Sequence, residues 1–75
     1  MTEARCINHM KCYLFRMAQE KWQLEPKETA KIFHDNGLLD FISECYGSLH
    51  LSSYQLALND LETILENRGV QGWKN

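Results

Sequence analysis

Gly37-Leu38-Leu39-Asp40-Phe41-Ile42, running on to Tyr46, Leu49 and His50, decides the fold. Leu38, Ile42, Cys45 and Leu49 recur at three- and four-residue steps, so they share one face of a helix over about Leu38 to Leu49. Leu39 and Tyr46 lie beside that face, while Asp40 and Glu44 point away from it. Gly37 can take the left-handed conformation that ends a preceding helix. After His50, Ser52-Ser53-Tyr54-Gln55 reads as a capping box, with Ser52 as cap and Gln55 reaching back. Gly47 weakens its helix by about 1 kcal/mol against Ala, or marks a bend or a close approach of a neighbour.

The same reading extends in both directions. Upstream, Pro26 suits the first position of a helix ending at Asn36-Gly37. Glu25 is a poor cap by type, but Glu28 sits where a capping-box acid belongs, and Ala30, Ile32 and Phe33 give the inner face. Before it, a segment from about Thr2 to Trp22 contains no Pro or Gly. Its stripe of Ile7, Met10, Leu14 and Met17 is widened by Cys6, Tyr13, Phe15, Ala18 and Trp22. A stripe this wide predicts burial on more than one side, either as the central helix of the domain or as a dimer seam. Downstream, Tyr54, Leu58, Leu61 and Leu65, with Ala57 and Ile64 beside them, form a fourth helix that Arg68-Gly69 ends. Residues 70–75 read as a fraying tail, although its Trp73 needs a docking place in the core or at an interface. No segment alternates as a strand would. The expected architecture is all-α: one small domain over residues 1–75, a compact bundle of four helices with short loops.

Composition narrows the function. A chain of 75 residues with a formal charge of −2 lacks the cationic surplus that non-specific nucleic-acid binding draws on. No apolar run approaches the roughly 20 residues needed to span a bilayer. Arg5, Lys11 and Arg16 interrupt any signal-peptide core, and the three cysteines are an odd number. Reduced thiols and a cytoplasmic location follow as expectations.

The chemistry-bearing residues each have a structural reading. Cys6, His9 and Cys12 are spaced by three, so neighbouring pairs could share a metal, but Cys6 and Cys12 lie about 120° apart around a helix. No metal and no cofactor are expected. Cys45 with His50 outlines a thiol nucleophile and base, yet Cys45 falls on the apolar face, which predicts an inert thiol. His50 is placed to hydrogen-bond the last carbonyls of the third helix and complement its dipole. Tyr46 and Asp60 can approach it. The residues singled out for binding are therefore Tyr46, His50, Asp60 and Trp73, with no catalytic set and no enzymatic activity expected.

Pro26-Lys27-Glu28, Phe33, the block from Gly37 to Ile42, then Tyr46, Leu49-His50, Asp60 and Ile64 resemble a family of small bacterial proteins catalogued as domain of unknown function 3791. The resemblance covers about Trp22 to Gly69. Gly47 stands where that family commonly has Asp, and Leu51 and Ser52 replace its more polar Thr-Gln turn. The resemblance implies no particular activity. Members are often encoded beside proteins that look like ADP-ribosyltransferases, which implies a partner or antitoxin-like role toward a neighbouring enzyme.

The functional expectation is a protein-interaction module that binds another protein or, through helix one, a second copy of itself. One alternative is a helix-turn-helix DNA-binding regulator built on the second and third helices. Its recognition helix would present Asp40, Ser43 and Glu44, however, with no Arg or Lys between Asp35 and Arg68. The other alternative is a homo-oligomeric structural protein. Nucleic acid and membrane are not expected partners.

Overall fold

A computed structural model describes residues 3–73. It has four helices and, among the described residues, no strand: α1 (Glu3–Trp22), α2 (Pro26–Asp35), α3 (Leu38–Leu49) and α4 (Tyr54–Asn67). The expected start of the first helix at Thr2 lies outside the described residues. α1 packs on all three other helices and α3 packs on both α2 and α4, while α2 and α4 do not meet. No described helix is long and apolar enough to cross a membrane.

The central helix buries Met10, Leu14, Ala18 and Trp22. This four-residue row is one of the ridges by which helices pack into each other's grooves. Ile7 and Met17, expected in the stripe, are only half-buried at its edges. α1 ends where Gln23 takes a left-handed φ of 54° and Leu24 N–H donates to the Gln19 carbonyl at 3.3 Å.

In α2, Pro26 follows the N-cap Glu25, whose side chain makes no capping hydrogen bond. Its buried residues are Thr29 and Phe33, one turn apart. Ala30, expected inside, is exposed: it stands about 100° around the helix from Thr29. Thr29 can enter the core because its hydroxyl donates to the Glu25 carbonyl at 3.0 Å, leaving the methyl to pack. Gly37 then turns the chain with φ +63°, where a side chain would be strained, and α3 starts at once. Leu38, Ile42 and Leu49 are buried as expected, and Cys45 is half-buried against them.

Two local expectations are corrected here. A Cβ at Gly47 would meet no atom within 4 Å, so neither a close approach nor a steric demand requires glycine there. The N-cap of α4 is Ser53, not Ser52: Leu56 N–H donates to Ser53 Oγ at 3.2 Å. The Ser52 hydroxyl serves the preceding helix, donating to the Leu49 carbonyl at 3.0 Å, and Gln55 donates to Asn59 rather than back to a cap.

α4 buries Ala57, Leu58, Leu61 and Leu65. Beyond it the chain folds back, and the tail expected to fray is part of the fold as far as residue 73. Trp73 is 4% exposed, its ring meets Trp22 edge-on at 5.4 Å, and its indole N–H donates to the Val70 carbonyl at 3.0 Å. Lys74 and Asn75 lie outside the described residues. Trp22 also packs near Phe33, at 6.0 Å, and its indole N–H donates to Glu62 of α4 at 2.8 Å. Glu62 accepts from Lys21 as well, at 2.9 Å, so one carboxylate holds the end of α1 to α4. Among the described residues, no buried side-chain nitrogen or oxygen lacks a hydrogen-bond partner.

Candidate functional site

The two larger grooves along α1 also reach neighbouring helices, whereas a smaller one is lined by Tyr13, Arg16, Met17 and Glu20 of α1 alone. The first of the larger two is lined by Arg5, Cys6 and His9 of α1, Tyr46 of α3 and Tyr54 of α4, and has a volume of about 530 Å³. Its aromatic walls are buttressed by other rings. His50 stacks on Tyr46 with centroids 4.8 Å apart and planes 13° from parallel. The His50 Nδ1 lies 2.8 Å from the Tyr46 carbonyl, which makes His50 the donor at the end of α3 that its position suggested. Tyr54 is flanked by Tyr13 at 4.7 Å, and Tyr13 by His9 at 6.3 Å.

The four residues singled out from sequence therefore separate. Tyr46 lines this groove and His50 sits behind it. Asp60 is exposed on α4 and does not line the groove. Trp73 is a core residue against Trp22 and is not available as a surface anchor.

The second groove, of about 510 Å³, is lined by Asn8, Lys11, Cys12, Phe15 and Arg16 of α1 together with Leu39 of α3. The α1 positions follow the three-four step of a single helix face. Cys12, Phe15 and Leu39 supply apolar surface. Phe15 is held from below by Phe33, edge-on at 5.3 Å. Leu39, expected beside the buried face of α3, is instead 38% exposed. Lys11 and Arg16 are about 140° apart around α1, with Asn8, Cys12 and Phe15 between them. Neither cation is in an ion pair with a described residue; the pair among them is Lys21 with Glu62.

Charge is segregated along the chain. From Ala4 to Gln19 the chain carries Arg5, Lys11 and Arg16 and no acid. From Ile32 to Asn67 it carries Asp35, Asp40, Glu44, Asp60, Glu62 and Glu66 and no Lys or Arg. The exposed part of α3 accordingly presents Asp40 and Glu44, which repel the phosphates a recognition helix would have to approach.

The thiols are dispersed. Cys6 lines the first groove, Cys12 the second, and Cys45 packs against the core. Among the described residues, no group of three or more His, Cys, Asp or Glu is placed to hold a metal ion.

Sequence reasoning passed over Arg5, Lys11, Arg16, Leu39 and Tyr54 as site residues. The acid-free run from Ala4 to Gln19 was the available signal for the first three. Leu39 and Tyr54 are apolar or aromatic residues at helical spacing, and only the packing shows that Leu39 is exposed and that Tyr54 lines a groove.

No curated protein and no solved structure matches the chain. A family model does match, starting upstream of the resemblance read from Trp22 and taking in most of α1. Residues 9–68, from α1 to just past α4, match the family described as protein of unknown function (DUF3791), and the chain belongs to that family.

Proposed function

We propose that this protein is a non-enzymatic protein-interaction module that receives its partner on the outward side of α1. The observation that carries the reading is the groove lined by Asn8, Lys11, Cys12, Phe15, Arg16 and Leu39. It combines apolar surface with two cations outside any described ion pair, on a helix whose buried ridge lies about 100° around from the centre of the groove. Recognition by a helix laid in such a groove is a recurrent way for small helical domains to bind. The antitoxin-like role that the family resemblance implies is one form of this function, with a neighbouring enzyme as the partner. The free thiols support a cytoplasmic setting for the encounter.

The test is recovery of the protein from native cells at low salt, with co-expression of any candidate enzyme found to be encoded beside it, followed by size-exclusion chromatography with light scattering. A stoichiometric complex supports the reading. Separate elution of the two proteins, with this one a monomer and no partner recovered from native cells at low salt, ends it. A concentration-dependent homodimer would favour the structural-oligomer alternative instead.

A further inference from the structure

We infer that the occupant of the α1–α3 groove is an acidic amphipathic helix of another protein. The inference rests on the interaction-module reading and specifies its partner. From Asn8 to Arg16 the groove runs about 12 Å along α1, which accommodates roughly two turns of a docked helix. Two turns present anchors at i, i+3 or i+4, and i+7, enough to cover Cys12, Phe15 and Leu39. Lys11 and Arg16 then stand where they meet residues flanking that apolar stripe, and carboxylates there complete the match.

Charge selects among the other occupants. A second copy docked through this groove would set Lys11 and Arg16 against their own copies, and like charges in apposition oppose association. The acidic α4 offers no matching stripe either, since Leu56 is its exposed large apolar residue and Leu51 lies in the turn before it. Nucleic acid would find cations here, but they border apolar surface rather than tracking a phosphate backbone.

The probe is a stapled helical peptide of about 18 residues, long enough to stay helical alone, with Leu at i, i+3 and i+7 and Glu on both flanks. Its control carries Lys for each Glu. Binding is read by fluorescence anisotropy, and the contact surface by amide chemical-shift changes. The acidic peptide should bind and shift Asn8, Lys11, Cys12, Arg16 and Leu39. The basic control should not. Lys11→Glu with Arg16→Glu should weaken binding about tenfold, and rising salt should weaken it further. Leu39→Ser, with the fold verified by circular dichroism, should weaken it without altering the salt dependence. Equal binding of both peptides, shifts confined to other surfaces, or binding of a short DNA duplex in place of the peptide would overturn the inference. A native complex that forms undiminished with the Lys11, Arg16 and Leu39 variants would overturn it and move the partner off this groove, leaving only an interaction module that binds elsewhere. Absence of any native complex would defeat that reading itself.

Discussion

Replacing Trp73 by Ala tests whether the segment after α4 belongs to the fold. Burying a Trp side chain removes on the order of 150–250 Å² from water. At about 25 cal/mol per Å² that is worth roughly 4–6 kcal/mol, an upper value because an unfolded chain is already partly compact. The edge-on contact with Trp22 at 5.4 Å adds about 0.5–1.5 kcal/mol. Large-to-small truncations of buried Trp cost about 3–5 kcal/mol, and a domain of this size has only roughly 3–5 kcal/mol of net stability. Trp73→Ala should therefore lose most or all of its cooperative unfolding transition in urea, followed by far-UV circular dichroism. Trp73→Phe keeps a ring against Trp22 and loses the indole donor to Val70, so it should retain a transition weakened by about 1–2 kcal/mol. An unfolding free energy for Trp73→Ala within about 1 kcal/mol of the parent would refute the reasoning. Trp73 would then contribute nothing to the core, and an interface role would be open again.

Gly47→Ala should stabilise by about 0.5–1 kcal/mol, because the helix gains a better former and the new methyl meets open space; a lowered melting temperature would show that the position is constrained. Ser53→Ala should cost about 1 kcal/mol through loss of the cap bond to Leu56, with Ser52→Ala the smaller loss in the same urea titration. The reverse order would return the cap to Ser52. Glu62→Ala should cost about 1–3 kcal/mol, mainly by leaving the Trp22 indole N–H without its acceptor, whereas Lys21→Ala should cost under about 1 kcal/mol because that ion pair is exposed. Equal losses for the two would mean that the ion pair, not the indole bond, joins α1 to α4.

What was legible in the sequence follows from how locally each feature is determined. Helix type and number rest on spacing within one segment, and the four helices form where Leu38, Ile42 and Leu49 or Leu58, Leu61 and Leu65 repeat. The turn at Gly37 was readable because a left-handed residue there has few substitutes. Capping was legible only to within a residue. Ser52 and Ser53 are equivalent by type, and which one caps depends on where Leu49 leaves its carbonyl. Thr29 was missed because a hydroxyl reads as polar, while its bond to the Glu25 carbonyl makes it acceptable inside. Trp73 and Glu62 answer to partners about fifty and forty residues away, which no local pattern reports. The candidate site suffers from the same limit. Tyr46 and His50 are one turn apart, and their association was foreseeable; the meeting of Tyr46 with Arg5, or of Leu39 with Phe15, exists only once α1 and α3 are packed.

The placement of α1 explains why its outer surface is informative about function. A helix that contacts every other element needs a wide apolar stripe for stability alone, so the stripe by itself distinguishes nothing. The fold, however, takes up a specific part of it: the row Met10, Leu14, Ala18 and Trp22, extended by Phe15 on Phe33. Tyr13, 49% exposed, and Cys12 lie beyond that row, as does Leu39 across the groove on α3. Folding supplies no reason to border such positions with cations and to exclude acids from Ala4 to Gln19 while ten acids are distributed over the rest of the chain. A surface selected only for solubility would mix the two signs. On the proposed reading, cations bordering partly exposed apolar groups orient an encounter, because they favour one sign of partner and disfavour self-pairing through the same helix. The proposed acidic helix is the occupant that meets both conditions at once.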